Sequence, residues 1–375
     1  MLILLASSCG TGEHVPCRDI ARFRSHATEQ VGTADEPEAR GYTYARVGNE
    51  AELGCACELL DGGGVDSVYV SGQVESLEPL SCTDELRALR VEWLALETLD
   101  GVEHLETLEL LALERVEGLL DLTGLAGLEG HVAALHVDET YELTSLAGLE
   151  GVESVGSLRL RRAPISDLAG LSGLVEVGDL HLQSLQTSDY AGLEGLETVH
   201  GTFQLWDMPT STLRGLDGIE RMGRVTIDYC RGLGTLEGLS EDLVVDGSIF
   251  LHNLPALTDL GGFASLEEAP TNLTLAWLPK LAELPVGLER VGKSLYLGGL
   301  DQLEQLDLPL LSRVGSDLSI VGNESLVSLE GLGALQSIGG NLLVQENPAL
   351  PDAEIEAFVA RVEIAGAVIV ADNGG

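Results

Sequence analysis

The sequence predicts a mainly β fold, a parallel solenoid with a short capping helix at its C-terminal end. Three observations carry that prediction. Leu supplies 71 of the 375 residues and Gly 46, whereas aromatics amount to 4%. Leu-x-Leu units recur every 22–24 residues over nine consecutive matches. Apolar and Gly positions between those units keep the same phase. One such coil cannot bury its own apolar side, so stacking on neighbours is obligatory. The same composition excludes other classes. A hydrophobic fraction of 45% is too high for a disordered acidic chain. The apolar residues are spaced rather than clustered, which excludes a bundle of membrane-spanning helices. Asp and Glu number 61 against 20 Lys and Arg, a formal charge of −41. Nucleic-acid binding needs clustered basic residues instead.

The chain opens Met1-Leu2-Ile3-Leu4-Leu5-Ala6-Ser7-Ser8-Cys9. An apolar run leading through small residues to a Cys resembles the end of a bacterial lipoprotein signal, although no basic stretch precedes it. The resemblance implies a signal over residues 1–9, with Cys9 lipidated. It also implies an exported protein, held at the bacterial envelope or outer-membrane surface by that lipid alone. Residues 10–50 are expected to be a flexible polar tether. The part from Thr28 to Arg40 is acidic, contains Pro37 and has no periodicity, so it buries too little to offset its ordering entropy.

Residues 51–90 are expected to form a Cys-containing N-terminal cap with the first irregular repeats. Cys17, Cys55, Cys57 and Cys82 are the disulfide candidates, with three possible connectivities. Cys55 and Cys57 are too close for a zinc pair and no His pair accompanies them, so no metal is expected. An exported chain favours disulfides.

Residues 91–350 are the expected solenoid. Its units run from Leu158-Arg159-Leu160 through Leu180-His181-Leu182, Phe203-Gln204-Leu205, Val225-Thr226-Ile227 and Ile249-Phe250-Leu251. They continue through Leu273-Thr274-Leu275, Leu295-Tyr296-Leu297 and Leu318-Ser319-Ile320 to Leu342-Leu343-Val344. Leu135-His136-Val137 fits one turn earlier. Leu108-Glu109-Leu110, Leu89-Arg90-Val91 and Val68-Tyr69-Val70 fit more loosely. The flanking residues of each unit point inward and the middle one outward, by the period-two alternation of a strand. Three residues after each unit lies another inward column, which includes Leu185, Met208, Cys230, Leu254, Asn323 and Asn347. Cys230 is expected to be a buried, inert thiol. The two Asn are expected to satisfy backbone groups at the turn. Val-Gly or Ile-Gly steps, such as Val314-Gly315 and Ile338-Gly339, lead into the next strand.

In these units the chain resembles the leucine-rich repeat in the variant of receptor L domains. Leu254-Pro255-Ala256-Leu257, Gly339-Gly340-Asn341-Leu342 and Glu346-Asn347-Pro348-Ala349-Leu350 carry the resemblance best. It covers roughly residues 65–350. It implies a right-handed β-solenoid of the kind found in bacterial surface lipoproteins, and it does not specify a ligand. Residues 351–375 are the expected C-terminal cap. Ile355, Phe358, Val359 and Val362 follow helical spacing, and Val368-Ile369-Val370 is expected to add a last strand that blocks edge pairing.

Two outward features are candidate sites. Gln204, Trp206, Asp228, Phe250, His252 and Tyr296 fall on one face of adjacent turns, with Tyr229 and Trp277 at its border. Aromatics among polar neighbours are what a protein- or glycan-binding surface uses. Glu153, Glu197, Glu220, Glu267 and Glu289 precede the Val-Gly steps and form a ladder, partly neutralised by Arg221, Arg290 and Arg313. Such a ladder suits cations or a basic partner. No motif of a hydrolase, zinc protease, nucleotide-binding loop or dedicated calcium loop is present. The sequence therefore leads to a non-enzymatic surface recognition or adhesion module without cofactor, for a protein or carbohydrate partner and not for nucleic acid. A structural envelope spacer is the alternative. A solenoid carbohydrate-active enzyme comes third.

Overall fold

The computed structural model describes residues 42–374 apart from Gly64 and Glu241. The signal-like segment, Cys9, Cys17 and most of the expected tether lie outside the described residues. The chain divides into two compact units, 1–156 and 157–375.

The first unit contains β1 (Tyr44–Asn49), helix α1 (Glu50–Asp61), β2 (Ser67–Gln73), β3 (Ala88–Ala95), β4 (Leu110–Glu117) and β5 (Gly130–Asp138). β6 (Val152–Arg161) begins in this unit and ends in the second. Strands β1 to β5 pair in chain order, all parallel. α1 starts where the Asn49 side chain accepts from the Glu52 N–H at 3.1 Å, one of the orphan donors of a first helical turn. Its Leu53 and Ala56 are fully buried. A disulfide joins Cys57 of the helix to Cys82, and Cys55 is disulfide-bonded as well.

Two sequence expectations are corrected here. The tether does not run to residue 50, because residues 44–49 are a strand whose Ala45 and Val47 are buried opposite Val68 and Val70. Four residues of alternation inside a polar stretch are too few to register as periodicity. The unit Leu108-Glu109-Leu110 is also out of frame. The residues that align with Leu89 and Val91 are Leu111 and Leu113. The run from Leu108 to Leu113 offers two alternating frames, and only pairing decides between them. With that change Ala45, Val68, Leu89, Leu111 and Leu135 are successive partners. The period is regular where it looked loose.

The second unit holds β7 (Glu176–Gln183), β8 (Thr198–Trp206), β9 (Arg221–Asp228), β10 (Val244–Val245), β11 (Ile249–His252), β12 (Glu268–Ala269) and β13 (Leu273–Ala276). It continues with β14 (Arg290–Val291), β15 (Leu295–Gly298), β16 (Arg313–Val314), β17 (Leu318–Val321), β18 (Ser337–Ile338) and β19 (Leu342–Gln345). Helix α2 (Asp352–Arg361), β20 (Glu363–Ile364) and β21 (Val368–Ala371) close it. The main ladder β7-β8-β9-β11-β13-β15-β17-β19-β21 is parallel throughout. A second parallel ladder, β12-β14-β16-β18-β20, takes its three middle strands from the Val-Gly and Ile-Gly steps. In β7 and β8 the same step is the first half of one long, bulged strand.

The Gly of that step has a steric cause. A Cβ on Gly315 would lie 2.0 Å from the Gly292 carbonyl oxygen, and one on Gly339 would lie 2.2 Å from that of Gly315. Successive coils approach backbone to backbone there, so only Gly fits. The inward Leu, Ile and Val of the rungs from β7 to β19 are buried, as is Cys230. Burial pushes the Cys230 thiol up to about 11, which keeps it protonated and inert.

Asn323 and Asn347 are fully buried and form a ladder of their own. Asn347 Oδ1 accepts from the Asn323 N–H at 3.1 Å and from Asn323 Nδ2 at 3.0 Å. Asn347 Nδ2 donates to the Ile320 carbonyl at 3.0 Å. Asn373 extends the ladder by accepting from Asn347 N at 3.2 Å.

At the C-terminal end α2 buries Ile355 and Phe358, and Val362 is buried just after it. Arg361 donates to the carbonyls of Leu329, Leu332 and Gly333 at 3.0–3.3 Å. β21 forms, but it does not seal the edge. Val368, Ile369 and Val370 stay 43–46% exposed, because β21 is itself the last rung of its ladder.

Candidate recognition face

Strand register fixes which outward side chains are neighbours. His181, Gln204, Thr226, Phe250, Thr274 and Tyr296 are successive partners across β7 to β15. Two residues on, Gln183, Trp206, Asp228, His252, Ala276 and Gly298 form the second column. Neighbouring rungs lie about 4.8 Å apart. All six in-face residues expected from the sequence stand in these two columns.

Tyr229 and Trp277 belong to a third column, which the repeat pattern places only at the border. Directly after each main-ladder strand the backbone turns through the left-handed region. Arg162, Ser184, Asp207, Tyr229, Asn253, Trp277, Gly299, Gly322, Glu346 and Asp372 occupy this corner with φ between +50° and +67°. Gly, Asn and Asp are the residues that adopt it most cheaply, and larger L-residues are held there at a cost. Tyr229 (φ +56°) and Trp277 (φ +57°) are the two aromatics in this column, where Arg162, Ser184 and Glu346 are also held at that cost. Trp277 is 61% exposed, so little burial offsets its cost, whereas Tyr229 is 38% exposed.

The rings are arranged in two places. Trp206 packs on Tyr229 with centroids 4.9 Å apart and planes at 38°. A Cβ built on Gly299 would lie 3.3 Å from Trp277 Cε3, and one on Gly298 would lie 2.8 Å from Tyr296 Cε1. The Trp277 indole thus rests on Gly299 and the Tyr296 ring on Gly298. The two consecutive glycines leave room for both. Phe250 sits under the Arg224 guanidinium, 5.9 Å from its ring centroid.

Between the rings lies a polar cluster. Asp228 is 9% exposed, and its Oδ1 accepts from Asn253 Nδ2 at 3.1 Å and lies 3.3 Å from His252 Nδ1. Asn253 Nδ2 is also 2.8 Å from His252 Nδ1. His252 is more exposed than Asp228, and the contact through Oδ1 orients the imidazole while Oδ2 takes no side-chain partner. The strand columns alone do not single out Asn253, which completes the cluster from the corner position.

His181 begins the first column. Its Nε2 is buried without a hydrogen-bond partner among the described residues. Desolvation, with Arg159 and Arg161 beside it, holds the imidazole below its ordinary value. Among the described residues no group of three or more His, Cys, Asp or Glu side chains is placed to hold a metal ion.

The glutamate ladder is less continuous than its spacing suggests. The N–H groups of Glu220 and Glu289 donate to the carbonyls of Glu197 and Glu267, which makes two neighbouring pairs. Exposed Val175 and Val244 interrupt the column. Arg221 and Arg290 pair directly with Asp246 at 2.6 Å and Glu268 at 2.5 Å, outside the ladder. Other carboxylates serve the fold. Glu150, Glu194 and Asp217 accept from the N–H groups of Gly148, Gly192 and Gly215 at 2.6–3.0 Å. These three Gly adopt φ of +97° to +110° at a second corner.

The first unit carries a related arrangement. Trp93 stands at φ +57° and is exposed, with the Arg115 guanidinium 4.0 Å above its ring. Arg115 also pairs with Glu139 and, at 3.5 Å, with Glu114. Sequence reasoning missed this pair because Arg115 and Glu139 fall at the corner rather than in a strand column.

These features make each unit a parallel β-solenoid of Leu-rich coils, the second with an aromatic and polar strand face. The sequence matches no family model and no curated protein. Among solved structures it is similar to an internalin from Listeria monocytogenes, 13% identical, over 88% of this chain and 82% of that one, with a TM-score of 0.40.

Proposed function

We propose that the chain is a non-enzymatic recognition or adhesion module that binds a protein or glycan through the strand face of its second unit. The observation that carries this reading is Trp277. A large aromatic occupies a left-handed corner that Asp207, Asn253, Gly299, Gly322 and Asp372 fill in other coils of this unit, alongside Arg162, Ser184, Tyr229 and Glu346, and it stays 61% exposed. The indole rests on Gly299 and is otherwise open to solvent, which supports its use by a partner. The His252, Asp228 and Asn253 cluster supplies oriented polar groups beside it.

Export and a lipid anchor at Cys9 belong to the same proposal. They are supported by the signal-like N-terminus and by the Cys57–Cys82 disulfide, which an oxidising compartment favours. The binding claim is tested by probing immobilised oligosaccharide and peptide arrays with the whole chain and with Trp277→Ala and His252→Ala variants. Both variants are expected to lose capture at least tenfold while melting as the parent does.

A further inference from the structure

The face offers aromatic rings and fixed polar atoms side by side. Ala276 and Gly298 are the second-column residues next to Trp277, and both are buried at the level of the sheet. The Tyr296 ring lies over Gly298 and the Trp277 indole over Gly299. A pyranose needs no pocket. One side of its ring is a sheet of C–H groups that lies on an aromatic face, and its rim of hydroxyls seeks planar donors and acceptors.

Both requirements are met within three rungs. The indole of Trp277 has Gly299 beneath it and solvent above. One rung away from Ala276 is His252, and one rung further is Asp228. The two side-chain contacts of Asp228 fall on Oδ1, which leaves Oδ2 to accept from a ligand hydroxyl. Asn253 adds an amide to the same group. The length of one pyranose in an extended chain is close to the rung spacing of about 4.8 Å. The Trp206–Tyr229 stack, on the rungs of β8 and β9, provides a second platform beyond the polar cluster. A carboxylate at the centre of the face and a formal charge of −41 disfavour sulfated or uronic sugars.

We infer that the ligand of this face is a neutral glycan with equatorial hydroxyls, laid across the rungs from Trp277 toward Trp206 with its hydroxyls on His252, Asn253 and Asp228. This rests on the recognition function proposed above and narrows it from protein or glycan to one class.

The test titrates β-1,4-linked glucose and N-acetylglucosamine oligomers of two to six units against the whole chain, read by calorimetry and by Trp fluorescence. A sulfated oligosaccharide and a peptide array serve as the contrasting probes. Affinity is expected to rise with oligomer length. It is expected to fall at least tenfold in Trp277→Ala and to be partly restored in Trp277→Phe, with melting unchanged in both. Capture of peptides through Trp277 with no response to either neutral oligomer would overturn the glycan assignment and leave the recognition function standing. Tighter binding of the sulfated probe overturns the assignment as well. No probe bound in a Trp277-dependent way would defeat both.

Discussion

At the scale of single residues, the buried polar positions carry the sharpest consequences. Asn347 is fully buried and holds the Asn323 N–H and the Ile320 carbonyl, neither of which has water to turn to. Asn347→Ala orphans both, at roughly 1–3 kcal/mol for each unmade hydrogen bond. The expected loss, read from urea unfolding midpoints, is therefore about 3 kcal/mol. Asn347→Leu, which restores the volume, should recover little of it. His181 gives a pH signature. Its folded-state value lies below the ordinary 6.5, because burial and the neighbouring Arg159 and Arg161 disfavour the imidazolium. The unfolded chain takes up that proton more readily. Stability present above the ordinary value is thus lost as pH falls from 6.5 toward the folded value. His181→Gln should flatten this decline when unfolding is followed between about pH 7 and 5.

At the scale of elements, strand pairing adds what residue patterns leave open. The period-two alternation of Leu-x-Leu placed the columns of the second unit correctly, because each inward flank there is apolar and each middle residue is distinct. It misplaced one strand at Leu108–Leu113, where consecutive Leu residues satisfy either frame. It passed over Tyr44–Asn49, where the alternation is too short. The corner column stayed hidden for a chemical reason. Left-handed backbone is legible when Gly, Asn or Asp marks it, as at Asn253, Gly299 and Gly322. It is not legible when Tyr229 or Trp277 stands in the same place. The helical spacing of Ile355, Phe358 and Val362 did announce α2, whose packing is testable. Phe358 is 1% exposed with the Arg361 guanidinium 5.0 Å from its ring centroid. Phe358→Ala should cost roughly 3–5 kcal/mol, as large-to-small core changes of this size do. The expected observation is earlier loss of amide protection in β19 and β21 than in β8 and β9 by hydrogen exchange.

At the scale of the whole molecule, the composition acquires causes. The Leu residues are mostly rung interiors. The Gly residues mark close coil contacts and a second corner. Part of the acidic excess caps that corner through Glu150, Glu194 and Asp217, and part forms two glutamate pairs rather than one ladder. The Cys57–Cys82 disulfide closes a 25-residue separation in the first unit. Opening it with the double variant Cys57→Ser and Cys82→Ser should lower stability by about 3.5 kcal/mol on the chain-entropy model. Equal melting of the two forms under oxidising conditions would show that the cross-link does not hold this unit.

The central claim is that the strand face of the second unit exists for a ligand and not for the fold. It is tested most directly by measuring ligand capture and thermal melting together on the parent chain and on the Trp277→Ala, His252→Ala double variant. The predicted result is a loss of capture of at least tenfold with melting unchanged within about 0.5 kcal/mol, as the exposed Trp277 and the partly exposed His252 allow. Unchanged capture, or a loss of capture that only follows a matching loss of stability, would contradict it.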